Sequence, residues 1–209
     1  MSSREYHPHL ADALNLLQAT PADMFIHESV KDGDCGFDSV RQILLEADYA
    51  TSNEFLRQTV AKAVLNPQDK FMNATIQNWL KIYQDAALTR DPQLLQDYSF
   101  MQFFADWHGP VRWTMEQRKE LFRVMLNKNY YWADETALRT LENALHVHFI
   151  IVDAKTHRVM FTEHHNMESR YFALLWKRGQ HFQPISVRGE FLFPIELLQR
   201  TDRDTPRSW

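Results

Sequence analysis

The sequence predicts an α+β fold in which helices lead and strands gather towards the C-terminal end. Two observations predict it. Apolar residues recur at helical spacing from Leu10 to Leu145. From Val147 onward the pattern changes to short apolar runs separated by polar turns, at 147–153, 159–162, 171–176 and 181–187. With 209 residues, 44% of them hydrophobic, the chain can bury a sizeable core, and a single domain is expected.

The elements follow in order. Leu10, Ala13, Leu14 and Leu17 give a short helix over 8–18, closed by Pro21. Residues 24–27 run extended into the loop Lys31-Asp32-Gly33-Asp34-Cys35-Gly36. Phe37, Val40, Ile43, Leu44 and Ala47 then predict a helix from Cys35 to about Ala47. Ser52 or Asn53 caps another, with Phe55, Leu56, Val60, Ala63 and Val64 facing inward, and Asn66-Pro67 stops it. Residues 72–127 read as helical throughout. Ile76, Trp79, Leu80 and Tyr83 form one stripe there, and Asp91-Pro92 opens a helix with the face Leu94, Leu95, Tyr98, Met101 and Phe104. After a break at 106–110, Thr114 and Gln117 form a capping box for the next helix. The aromatic stripe Trp79, Tyr83, Phe100, Phe103, Phe104 and Trp107 is expected in the core. A three-turn helix over 136–145 leads into a buried strand at 147–153. A strand at 159–162 and a hairpin, 171–176 with 181–187 across Lys177-Arg178-Gly179-Gln180, follow. Residues 191–195 read as one more strand or a route into a short helix at 196–200, and 201–209 as a loose tail.

Composition excludes several function classes. A formal charge of −4 gives no basic face for nucleic acid. No apolar run approaches the ~20 residues that span a bilayer, and the first nine residues hold no signal-like apolar core. The single cysteine forbids an internal disulfide and suits a reducing, cytoplasmic compartment. It also cannot form a thiolate cluster, and no two-histidine helical signature with a third ligand is present, so no metal site is expected.

That cysteine, Cys35, lies between two of the five glycines at the mouth of a helix. Gly33 leaves the loop free to adopt unusual dihedrals. The helix dipole there favours thiolate over thiol, and N–H groups of the Gly33–Cys35 loop, Asp34 included, are placed to bind a developing oxyanion. Such a nucleophile needs a histidine. His164-His165 lie in a polar stretch, and His146 and His148 alternate at the start of a buried strand. His181 begins a strand straight after a glycine turn, a rigid position from which an imidazole can meet a helix-borne thiol, and spacing favours it.

Three blocks resemble the ovarian tumour (OTU) family of cysteine proteases, which are deubiquitinases. Asp32-Gly33-Asp34-Cys35-Gly36-Phe37 is similar to its Asp-Gly-x-Cys-x-Phe nucleophile loop. The run from Tyr131-Trp132-Ala133-Asp134 to Leu138 and Leu141 resembles its aromatic block ahead of an amphipathic helix. Ala173-Leu174-Leu175-Trp176 through Gly179-Gln180-His181-Phe182 is similar to its strand–turn–histidine ending. The resemblance implies a single OTU-like catalytic domain with a small sheet flanked by helices, and 72–127 as a helical insertion suited to contacting ubiquitin. It implies Cys35 as nucleophile, His181 as general base and Asp32 as a further active-site acid. It also implies an acyl transfer that needs no metal or cofactor, and ubiquitin or polyubiquitin as partner.

One departure bears on the chemistry. Where many members carry Asp or Asn two residues after the histidine, this chain has Gln183. A glutamine carbonyl accepts a hydrogen bond but brings no charge to an imidazolium. The group orienting His181 is then Gln183, Asp32 or another acid, or else the chain is a weak or inactive ubiquitin-binding module of the same fold.

Overall fold

The structure, a computed structural model, describes residues 10–105, 113–161 and 169–199. The helices are α1 (Leu10–Leu16), α2 (Cys35–Glu46), α3 (Asn53–Ala63), α4 (Lys70–Thr89), α5 (Pro92–Asp97), α6 (Met115–Leu126), α7 (Glu135–Leu145) and α8 (Glu196–Gln199). The strands are β1 (Met24–Ile26), β2 (Val147–Asp153), β3 (Val159–Phe161), β4 (Tyr171–Arg178), β5 (His181–Val187) and β6 (Phe193–Pro194). They form one mixed sheet in the order β1-β5-β4-β2-β3, with β6 pairing the start of β4. The α+β class expected from the sequence is the one observed.

The sheet is covered on both faces, which is why β2 reads as a continuous apolar run. Phe149 and Ile151 of β2, with Ala173 and Leu175 of β4, pack into the larger core with α2, α3, α4, α6 and α7. Ile150, Val152, Leu174 and Ile185 face the other way, onto Leu10, Ala13 and Leu14 of α1. β2 and β4 run parallel and every other pair is antiparallel. The β4–β5 hairpin turns through Gly179 and Gln180 alone, two residues tighter than expected, with Arg178 opposite His181.

Most caps follow the sequence chemistry. Ser52 Oγ accepts from Phe55 N at 3.1 Å, and Asp91 Oδ1 from Gln93 N at 3.0 Å. Thr114 and Gln117 form the expected box. The departures lie in the helical stretch. It is not helical throughout, because α4 stops at the left-handed Arg90 and α5 ends at Asp97. The chain then tightens into a 3₁₀ helix, Ser99–Phe104. Over six residues an apolar pattern cannot separate a period of 3.6 from one of 3.0, so the face running from Leu94 to Phe104 was one helix too long. Met101 and Phe104 are buried, but Leu94 is turned out and Phe103 is 49% exposed, outside the core expected for it. Phe55 is likewise 49% exposed, because the buried stripe of α3 is Leu56, Arg57, Val60 and Ala61. At the C-terminal end both alternatives occur in turn, β6 and then α8. Trp107, His164, His165 and the expected tail at 201–209 lie outside the described residues.

Candidate active site

The chain brings Cys35 against the β4–β5 turn. Cys35 is 2% exposed at the start of α2, and its Sγ–H donates to the Gln180 carbonyl at 3.6 Å. Gln180 immediately precedes His181, so two segments 145 residues apart meet at this point. α2 is fastened to β5 one turn further along, where Ser39 Oγ stands 2.8 Å from the Cys35 carbonyl and 3.0 Å from the Phe182 carbonyl, its single proton shared between the two acceptors. Close approach is what Gly36 permits, since a Cβ there would stand 2.5 Å from the Ala133 Cβ.

The electrostatics of the thiol differ from the expectation of a lowered pKa. Burial pushes the Cys35 thiol up, against N–H groups of Phe182 and Gly36 that pull it down; the carboxylates of Asp32 and Asp34 add to the rise. Desolvation outweighs the first-turn donors because the sulfur sits inside the packing rather than at its rim. The resting group is a neutral thiol donating to a carbonyl, and its use as a nucleophile requires a base.

Asp32 is not arranged as an imidazole partner. Its Oδ2 accepts from Lys128 Nζ at 2.9 Å and its Oδ1 from the Asp34 N–H at 3.0 Å, the first of which holds its carboxyl below the usual range. The Cys35 N–H points back to the Asp32 carbonyl at 3.2 Å. Asp32 therefore orders the nucleophile loop, and the N–H groups of Asp34 and Cys35, both expected as oxyanion donors, are engaged inside that loop. Gly33 keeps a negative φ, so it is not there for unusual dihedrals. It is there for space, because a Cβ would run into the Lys128 carbonyl and stand 2.7 Å from Trp132 Cδ1. Gln183 donates from Nε2 to the His27 carbonyl at 3.2 Å.

Three groups of the site escaped the sequence reading. Arg57, only 4% exposed, donates to Asp34 Oδ1 from Nε (3.0 Å) and Nη2 (2.5 Å). It also reaches the carbonyls of Gly33 (2.9 Å), Met125 (2.9 Å) and Tyr131 (2.7 Å), and its guanidinium lies over the Phe37 ring. Its signal was an arginine inside the apolar stripe of α3. Ser29 is buried, with Oγ 2.6 Å from the Phe182 carbonyl and 3.3 Å from His181 Nε2. Nothing in its sequence context marked it. Trp132 was read only as part of an aromatic block. It lies 42% exposed over Gly33 and lines a cleft.

That cleft, about 540 Å³, runs from α5 to the β4–β5 turn past Trp132, lined by Gln93 and Asp97 on one side, Asp134 and Glu135 on another, and Gln180 and Phe182 at the turn. Its one cation, Lys177, pairs with Glu135, so the lining carries an excess of negative charge. Asp134 also caps α7 through Ala137 N at 2.9 Å, and burial raises its pKa to about 6. Of the competing histidines, His148 is 1% exposed rather than packed against solvent-side neighbours. It sits with Nδ1 2.9 Å from Glu142 Oε1, because β2 is covered on both faces. Among the described residues no group of three His, Cys, Asp or Glu side chains could hold a metal ion.

No family model matches the sequence, and no curated protein matches it. Solved structures do resemble it. An ovarian tumour (OTU) domain in complex with ubiquitin superposes with a TM-score of 0.54 at 17% identity, over 88% of this chain and 78% of the other. An OTU deubiquitinase from Wolbachia pipientis wMel gives a TM-score of 0.49 at 15% identity, over 87% of this chain and 98% of that one. The fold is that of an OTU domain.

Proposed function

We propose that this chain is a cysteine-type deubiquitinase that hydrolyses the isopeptide or peptide bond at the C-terminus of ubiquitin. The observation that carries the reading is the meeting of a buried helix-borne thiol with the turn that precedes His181, a turn whose Gln180 also lines an acidic cleft. The likeness of the fold to an OTU domain solved with ubiquitin supports the choice of substrate. Asp97, Asp134 and Glu135 give the cleft an acidic lining that suits a basic segment of its partner. α5 and the residues just after it form one wall of the cleft, which puts this part of the helical stretch, 93–100, in the proposed ubiquitin-contacting face.

In this mechanism His181 takes the Cys35 proton as the sulfur attacks the carbonyl carbon. The Asp34 and Cys35 N–H groups stabilise the oxyanion of the tetrahedral adduct once they turn away from their acceptors on Asp32. The adduct collapses with transfer of the imidazolium proton to the departing lysine amine, leaving a thioester. His181 then deprotonates water, which cleaves the thioester and restores the thiol. The reaction consumes one water and uses no cofactor, and a reducing compartment keeps Cys35 competent.

A second reading, a ubiquitin-binding module with little turnover, draws on the raised pKa of Cys35 and on the uncharged Gln183. A ubiquitin probe with an electrophilic C-terminus decides between them. An adduct with the wild type and none with Cys35→Ala supports the enzyme. Non-covalent binding without an adduct supports the module. Absence of both refutes ubiquitin as the substrate.

A further inference from the structure

Building on the deubiquitinase reading, we infer that Ser29 is the positioning residue that orients His181, in the place for which neither Asp32 nor Gln183 is arranged. The argument is one of hydrogen counting. A serine hydroxyl has one proton to donate. At 2.6 Å from Ser29 Oγ stands the Phe182 carbonyl, which can only accept, so the proton goes there. The lone pairs of Oγ then face His181 Nε2 at 3.3 Å, and the contact requires that Nε2 carry a hydrogen. In the neutral ring this leaves Nδ1 unprotonated, as the nitrogen able to take the thiol proton. A serine acting this way fixes the tautomer and the ring plane without supplying a charge.

The segment that carries Ser29 is built to hold it. On one side Gln42 Nε2 of α2 donates to the Glu28 carbonyl at 2.9 Å. On the other, the Val30 N–H donates to Asp38 Oδ2 at 3.1 Å. Asp38 is itself 3% exposed and fixed by Arg41 Nη2 at 2.7 Å. The helix that bears the nucleophile thus clamps residues 28 and 30 and leaves the side chain between them against β5. Nucleophile and orienting group are referenced to one rigid element. Asp32 is committed to Lys128 and the Asp34 N–H, and the Gln183 amide to the His27 carbonyl.

The test reads the imidazole directly. The ¹⁵N resonances of His181, assigned by their loss in His181→Gln, report which ring nitrogen bears the hydrogen, and the measurement needs no ubiquitin. The wild type is expected as the Nε2–H tautomer, and an Nδ1–H ring overturns the inference. Ser29→Ala is expected to give a mixture of tautomers, with Ser29→Thr restoring the single form. Ser39→Ala, which removes the other hydroxyl on the Phe182 carbonyl, should leave the tautomer unchanged. Alkylation of Cys35 by iodoacetamide at neutral pH should slow about tenfold in Ser29→Ala, the share of general-base catalysis that depends on alignment. An unchanged His181 spectrum in Ser29→Ala, or a tautomer shift in Gln183→Ala, assigns the role elsewhere. Failure of the ubiquitin probe alongside these expected spectra would refute the substrate and leave the role of Ser29 standing.

Discussion

Arg57 offers the sharpest test of how the loop that carries Cys35 is held. Its guanidinium makes five hydrogen bonds to four residues, with three backbone carbonyls and the Asp34 carboxylate as acceptors. Two of those acceptors, Gly33 O and Asp34 Oδ1, belong to the loop that presents Cys35. Substitution by methionine keeps much of the volume and removes every donor. The Gly33, Met125 and Tyr131 carbonyls then lose their charged partner inside the protein, at ~1–3 kcal/mol for each buried acceptor left unmatched. Water reaches some of them, and the loss of a partner from a buried ion pair typically totals ~3–5 kcal/mol. We expect ~4 kcal/mol of destabilisation, which for a domain of this size lowers Tm by ~8–16 °C. Arg57→Lys keeps the charge but not the planar fork, and is expected to lose about half as much. Urea unfolding followed by tryptophan fluorescence measures both, and iodoacetamide alkylation of Cys35 at 20 °C reports loop geometry. A loss below ~1 kcal/mol in Arg57→Met, with unchanged alkylation, would refute the view that Arg57 anchors the nucleophile loop.

Three further outcomes follow from the geometry. Gly36→Ala places a methyl 2.5 Å from the Ala133 Cβ, so α2 must move off α7 or β5; we expect ~1–3 kcal/mol of destabilisation and slower alkylation of Cys35, read by urea midpoint and by rate. Asp32→Asn removes the exposed pair with Lys128 but retains an acceptor for Asp34 N–H, so the ubiquitin probe should still react within about tenfold of wild type; a loss of a thousandfold would restore Asp32 to a catalytic role. Asp134 has a folded pKa near 6 against 3.8 unfolded, so the native state binds its proton more tightly; this favours folding fully below pH 3.8 and is lost as pH rises through about 6. Asp134→Asn keeps a cap for α7 without that titration, so its urea midpoint should gain on the wild type between pH 4 and 7, and parallel curves would contradict the assignment.

How much of this was legible depended on the range of the forces involved. Caps are local, and Ser52, Asp91 and the Thr114–Gln117 box could be read from side chains within three residues of the backbone they serve. Burial over a long period was legible too, as in α2 and β2. The thiol's neighbourhood was readable as a motif but not as an environment. The sequence places Cys35 at a helix start, and only its burial in the folded chain shows that desolvation outweighs the first-turn donors. Asp32 was expected in the chemistry because the loop resembles the Asp-Gly-x-Cys-x-Phe motif of the OTU family, whose aspartate it matches. Its actual partner, Lys128, lies 96 residues away, and no local pattern encodes that pairing. Arg57 was visible in principle, since an arginine within an apolar stripe demands buried acceptors. Ser29 was not, because a lone serine in a loop carries no periodicity and gains its meaning from a strand 152 residues downstream.

The pairing of β1 with β5 has a consequence for the life history of the chain. His27 meets Ser186 across 159 residues, so this edge of the sheet closes only after all of the intervening chain exists. Contacts of such separation are late and slow to form, because the entropy of ordering the intervening chain is lost before they stabilise anything. During synthesis the cysteine leaves the ribosome early and spends that interval without its histidine. A nascent or C-terminally clipped chain is thus an ordinary thiol protein. Cys35 meets the turn before His181 only when the β4–β5 hairpin docks against α2.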